Sequence, residues 1–199
     1  MRRDRQAPRA RVLLLGVLAL PLAACSATDT GGGPGDPAGL TYRAMFDRSD
    51  ALVQRLEETA PTPISRVPVS GAARYEGYAA FQPGVGYDKN EYPEMMALAQ
   101  IDTYFASDTV EGEFTNFRNR DGTVIGGSLR LENGAINGNE VTASTSGPLF
   151  ETDRTRYVEA DVEGLFGGPN VEFLAGTIDA TVIEDGYGSD YSGIFVTER

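Results

Sequence analysis

The sequence predicts an all-β domain, an antiparallel β-barrel of about eight strands preceded by one amphipathic α-helix. Three observations carry this. From residue 70 onward, short segments alternate apolar and polar residues with the period of two expected of strands wetted on one face. Turn dipeptides punctuate them: Pro83-Gly84, Asp121-Gly122, Asn133-Gly134, Asn137-Gly138, Gly147-Pro148 and Asp185-Gly186. Glycine recurs at positions that the alternation turns inward, Gly112, Gly127, Gly164, Gly176 and Gly193, where a strand accommodates it for a bend or a close backbone approach. The remaining length supplies about eight strands at roughly 8 to 12 residues per strand and turn, enough to close a small barrel. Alternation alone fits a two-layer sandwich equally well.

The chain begins with something else. Arg2, Arg3, Arg5, Arg9 and Arg11 precede an apolar run from Val12 to Leu22, and Leu22-Ala23-Ala24-Cys25 closes it. Basic, apolar and small residues in that order form an export signal, and the cysteine marks residues 1–24 as a bacterial lipoprotein signal peptide cleaved before Cys25. The apolar run is far shorter than the ~20 residues a membrane-spanning helix needs. Lipid (palmitate or a related acyl group) on Cys25 would anchor the mature chain, because more than one acyl chain makes membrane binding durable. Ser26 after the cysteine is similar to the pattern of lipoproteins carried to the outer membrane. That places the expected protein in the cell envelope, with membrane as its first partner.

Residues 25–40 are rich in Gly, Pro, Ser, Thr and Asp and read as a flexible tether. Across 41–60, Tyr42, Met45, Phe46, Leu52, Val53 and Leu56 recur at helical spacing, and Pro61 and Pro63 stop the helix. Its apolar stripe calls for a flank of the following domain, residues 70–199. There Ile101, Thr103 and Phe105 are set against Asp102; Ile125, Gly127, Leu129 and Leu131 against Ser128, Arg130 and Glu132. Val158, Ala160, Val162, Gly164 and Phe166 oppose Glu159, Asp161 and Glu163, and Leu174, Gly176, Ile178, Ala180 and Val182 oppose Thr177, Asp179 and Thr181.

Composition narrows the chemistry. The chain has no histidine, no tryptophan and a single cysteine. The usual general base, the commonest metal ligand and every Ser/His/Asp or Cys/His arrangement are therefore missing, so the sequence predicts neither an enzyme nor a cofactor or metal. Without residues 1–24 the chain keeps 12 basic and 28 acidic residues, a net charge of −16. Such a surface does not neutralise phosphates, which excludes nucleic acid as a partner.

Candidate sites are few. Asp185 and Asp190 flank a loop that could offer oxygens to calcium, yet the spacing misses the twelve-residue calcium loop, and a solvated hairpin is the simpler reading. Glu159 and Asp161 alternate into water instead of flanking a sugar cleft. Gly126-Gly127 lacks the Lys and Ser or Thr of a phosphate loop. Tyrosine is abundant and well suited to recognition. The polar loop from Pro83 to Pro93, with Tyr87, Lys89 and Tyr92, is the expected contact region, since long loops on rigid barrels carry function.

The stretch from Gly164 to Gly176 resembles the signature of the transferrin-binding protein B β-barrel domain, found also in smaller lipoproteins. Gly164, Phe166, Gly168, Pro169, Leu174 and Gly176 match it in order; Gly167 replaces an aromatic, Val171 an alanine, Phe173 an acid and Ala175 a glycine. Val110 to Phe114, Gly126 to Leu129 and Tyr191 to Val196 are also similar to strands of that domain. The resemblance covers residues 70–199, one barrel, whereas the full receptor carries two lobes with further handle structure. It implies a barrel used as a binding module for a protein or a small solute, with iron or haem acquisition as one such role. Any haem would have only Tyr or Met as axial ligand here. A structural envelope lipoprotein with no individual ligand is the alternative.

Overall fold

A computed structural model of the chain describes residues 40–199. The expected signal peptide, Cys25 and nearly all of the expected tether lie outside the described residues. Helix α1 (Tyr42–Glu57) is followed by a short 3-10 turn (Ile64–Arg66) and nine strands: β1 (Ala72–Pro83), β2 (Met95–Tyr104), β3 (Thr109–Asn119), β4 (Val124–Gly127), β5 (Leu129–Asn137), β6 (Glu140–Phe150), β7 (Thr155–Gly167), β8 (Phe173–Glu184) and β9 (Tyr187–Glu198). Every pairing is antiparallel.

The sheet runs β1-β2-β3, then β4 with β5, then β6-β7-β8-β9, and β9 pairs again with β1, so it closes into a barrel. β4 and β5 are two halves of one strand. Gly127 sits at φ +100°, and a side chain there would meet the Pro148 carbonyl, so the chain kinks between Gly127 and Leu129 and both halves still pair with β3 and β6. Counted this way the barrel has eight strands, as the alternation predicts, and closure decides against the sandwich. The stretch from Ile125 to Leu131, expected as one continuous strand, is the piece that breaks.

The alternation translates directly into burial. On β7, Val158, Ala160, Val162 and Phe166 are buried while Glu159, Asp161 and Glu163 are exposed. Inward residues fill the interior, with Tyr75, Phe81, Phe114, Phe117, Phe166 and Phe195 at its centre. Phe81 meets Phe114 edge to face at 6.2 Å between ring centres, a favourable quadrupole geometry.

α1 lies against the outside of the wall. Thr41 caps it, its hydroxyl oxygen accepting from the Ala44 N–H at 3.2 Å. Tyr42 and Met45 pack on Ala80 and Met96, with Tyr78, Leu98 and Ile194 around them. The Tyr42 hydroxyl donates to the Pro93 carbonyl at 2.7 Å. Beyond the helix the chain crosses one end of the barrel. The Thr62 N–H donates to the Phe166 carbonyl at 2.8 Å, its hydroxyl donates to the Gly168 carbonyl, and the Gly168 N–H donates to the Ala60 carbonyl at 2.9 Å. The N-terminal brace thus covers the wall formed by β1, β2 and β9 and the Phe166–Phe173 end of β7 and β8, and it leaves the outer faces of β6, β7 and β8 open from there to the loop end.

Candidate binding surface at the loop end of the barrel

Alternate strand connections collect at one end: the β1–β2 loop, the β3–β4 turn, the β6–β7 turn and the β8–β9 turn. The last is two residues, Asp185 at φ +51° and Gly186 at φ +82°, the left-handed pair a tight hairpin requires. Asp190 lies farther down the ladder opposite Thr181, so Asp185 and Asp190 are not gathered around one point. Among the described residues, no group of three or more Asp, Glu, His or Cys is placed to hold a metal ion.

The β1–β2 loop carries Tyr87, Lys89 and Tyr92. Asp88 organises it, its carboxylate accepting from the Asn90 backbone N–H and side-chain amide, both at 2.8 Å. Those bonds, the backbone one first, hold the Asp88 carboxyl below its ordinary range. Tyr87 packs into the cluster beneath α1, and burial pushes its phenol up to about 12. Tyr92 leans on the helix too, its ring 5.1 Å from that of Phe46, yet it remains half exposed. Lys89 is exposed. The three residues share one loop, but Tyr87 and part of Tyr92 brace the helix, leaving Lys89 and the outer edge of Tyr92 toward solvent.

Behind this loop lies a charged cluster absent from the sequence reading. Arg156 points into the barrel mouth with its side chain only 4% exposed. It reaches Glu151 Oε1 at 2.6 Å, Glu94 Oε1 at 3.2 Å and Glu184 Oε2 at 3.6 Å. Arg154 bonds Glu151 Oε2 at 2.7 Å, which raises its own pKa, and lies 3.5 Å from Glu184. The Tyr191 hydroxyl donates to Glu94 at 3.2 Å; burial first, and that carboxylate second, raise the phenol's pKa. One guanidinium therefore ties together the β1–β2 loop, the β6–β7 turn and the end of β8. A sequence signal was present: Arg156 stands two residues before Val158, at an inward position of the same alternation.

The other candidates stay apart. Glu159 and Asp161 are exposed on the outer face of β7. An open groove of about 640 Å³ follows the bulged junction of β2, β3 and β5, lined by Gln100, Asp102, Glu111, Glu113, Arg130 and Glu132.

A closed, side-chain-filled barrel whose rim is tied together by side chains is a scaffold suited to presenting loops for binding. Residues 67–198 match the family model described as the C-lobe and N-lobe β-barrels of Tf-binding protein B, and the chain belongs to that family. Similar solved structures include two substitution mutants of the vaccine antigen transferrin-binding protein B from Haemophilus parasuis Hp5. Each is 16% identical with a TM-score of 0.43, covers 69% of this chain, and is itself covered to 28% and 27% respectively. The chain thus spans under a third of those proteins. Comparison with curated proteins gives no match.

Proposed function

We propose that this protein is a cell-envelope lipoprotein, anchored in the outer membrane by lipid on Cys25, whose barrel binds a protein or a small solute through its loop end. The observation that supports the reading is the match over 67–198 to the barrels of a binding-protein family, together with a rim whose segments Arg156 ties to one another. Pre-organised loops lose less conformational freedom on association, which favours affinity. Lys89 and Tyr92 are the proposed contacts.

The test is retention of ligand from envelope extract and growth medium by the full chain, compared with a Lys89→Glu, Tyr92→Ala variant. A species held by the native loop and lost by the variant supports the reading; equal retention by both removes it. Cys25→Ser should release the protein from the membrane fraction, and persistence there would end the anchoring argument. Haem as the solute predicts an absorption shift on titration, and an unchanged spectrum eliminates it.

A second reading, a structural envelope lipoprotein with no individual ligand, draws on the filled interior. Tyr75, Phe81, Phe114 and Phe195 occupy the space where a barrel of this size would otherwise hold a solute. It predicts loss of envelope integrity on deletion with nothing retained.

A further inference from the structure

The wall that α1 leaves open has an apolar upper part and an acidic lower part. At the loop end, Val124, Phe150 and Tyr157 are exposed outward at 61%, 49% and 42%. Cross-strand register makes them one patch: Gly126 is paired with Phe150, Pro148 with Tyr157, and Tyr157 with Ile183. The Phe150 ring lies across Gly126. The next outward rows hold Glu159 opposite Thr181 and Asp161 directly opposite Asp179, with Glu163 beyond. Glu159, Asp161, Glu163 and Asp179 have no ion-pair partner among the described residues.

Both features work against the isolated protein. Like charges directly opposite on neighbouring strands destabilise a sheet. Contiguous exposed aromatic and aliphatic side chains on a soluble face mark an interaction site. Local rules broken at one place, with no compensating contact, point to function. An acidic wall repels anionic lipid, and its carboxylates are spread along the strands without forming a cage for a cation. Lysine or arginine on a protein segment would relieve the Asp161 and Asp179 repulsion, while an aromatic or aliphatic anchor on that segment covers Phe150 and Tyr157. Tyr157 and Asp161 are four residues apart on one strand, about 14 Å at ~3.4 Å per residue, a span that a short extended segment bridges.

We infer that the outer wall of β6, β7 and β8 is a docking surface for a basic protein segment bearing an apolar anchor, with Phe150 and Tyr157 taking the anchor and Asp161 and Asp179 the cations. The inference deepens the binding-module reading by naming a second surface and its partner chemistry. It uses none of the loop-end residues Lys89 and Tyr92.

The probe is a synthetic peptide of alternating Lys and Phe, titrated against the full-length chain in detergent by fluorescence anisotropy. Asp161→Asn with Asp179→Asn, and separately Phe150→Ser with Tyr157→Ser, should each weaken binding by about tenfold. Glu111→Gln with Glu113→Gln removes the same charge from another wall and should leave affinity unchanged. The Asp161, Asp179 variant should melt no lower than the native protein, so its loss of binding is not unfolding. Equal weakening by the two acid pairs would reduce the effect to net charge and overturn the inference, as would full affinity in the Phe150, Tyr157 variant or no peptide binding at all. Those failures leave the loop-end reading to its own retention test.

Discussion

The Tyr75 hydroxyl donates a 2.8 Å hydrogen bond to the carbonyl oxygen of Val171, joining the first strand to the turn between β7 and β8 across 96 residues of sequence. Val171 is buried and sits at φ +56°, a left-handed conformation that is a real outlier for a β-branched residue. It stands where the resembling signature has alanine. The surrounding structure must hold this strained turn in place, and the Tyr75 bond is one of the contacts that does so.

Tyr75→Phe removes the only donor in that bond while preserving the ring that packs 5.9 Å from Phe166. The stranded Val171 carbonyl should cost about 1–3 kcal/mol of stability. Equilibrium denaturant unfolding measures it, and an unchanged midpoint would show that the turn holds without Tyr75.

Alkali should unfold the native protein. Burial raises the pKa of Tyr75 furthest, pushes that of Tyr87 up to about 12, and raises those of Tyr42 and Tyr191. The unfolded chain releases these phenolic protons near pH 10 while the folded chain keeps them. Above that pH the unfolded state binds fewer protons, so stability is complete below about pH 10 and falls as pH rises through the folded values. Melting temperatures followed from pH 9 upward should drop steeply, and less steeply in Tyr75→Phe. Parallel curves for the two proteins would contradict the assignment.

Gly176 should not accept alanine. It is paired with Gly164, and a methyl group there would drive into the Glu163 carbonyl oxygen, while Phe195 closes over Gly164 from the inside. The two strands can approach only because both positions lack a side chain. Gly176→Ala should lose about 1–3 kcal/mol through overpacking, read as a lowered denaturation midpoint; retained stability would show that the strands separate at little cost.

What the sequence could show follows the range of each interaction. The parity of β7 and β8 and the two-residue turn at Asp185-Gly186 depend on neighbours in the chain, and alternation plus turn chemistry found them. The kink at Gly127 depends on the Pro148 carbonyl of another strand, so an alternating stretch reads as unbroken. Thr62 pairing with Phe166, and Tyr75 with Val171, depend on where the barrel closes, which no local pattern carries. Tyr87 and Tyr92 stand in a polar loop by sequence, and only the docked helix shows how much of them it uses. Arg156 was readable from parity, but its meaning required Glu94, Glu151 and Glu184 from three separate segments.

Arg156 also gives the sharpest test of how the loop end is held. Arg156→Met keeps much of the side-chain length and removes the charge, leaving Glu94 and Glu151 with Arg154 as the nearest cation, at the Glu151 side only. Breaking a buried ion pair from one side typically costs about 3–5 kcal/mol, because the remaining charges stay partly desolvated. Here Glu94 and Glu184 are more open than Glu151, so the low end of that range is expected. Adding Glu151→Gln to Arg156→Met should recover part of the loss, since it deletes one of the carboxylates that Arg156 balanced. Denaturant midpoints of the two variants and the native protein decide the matter. A deficit untouched by Glu151→Gln would mean that Arg156 serves the barrel mouth through packing and not through charge.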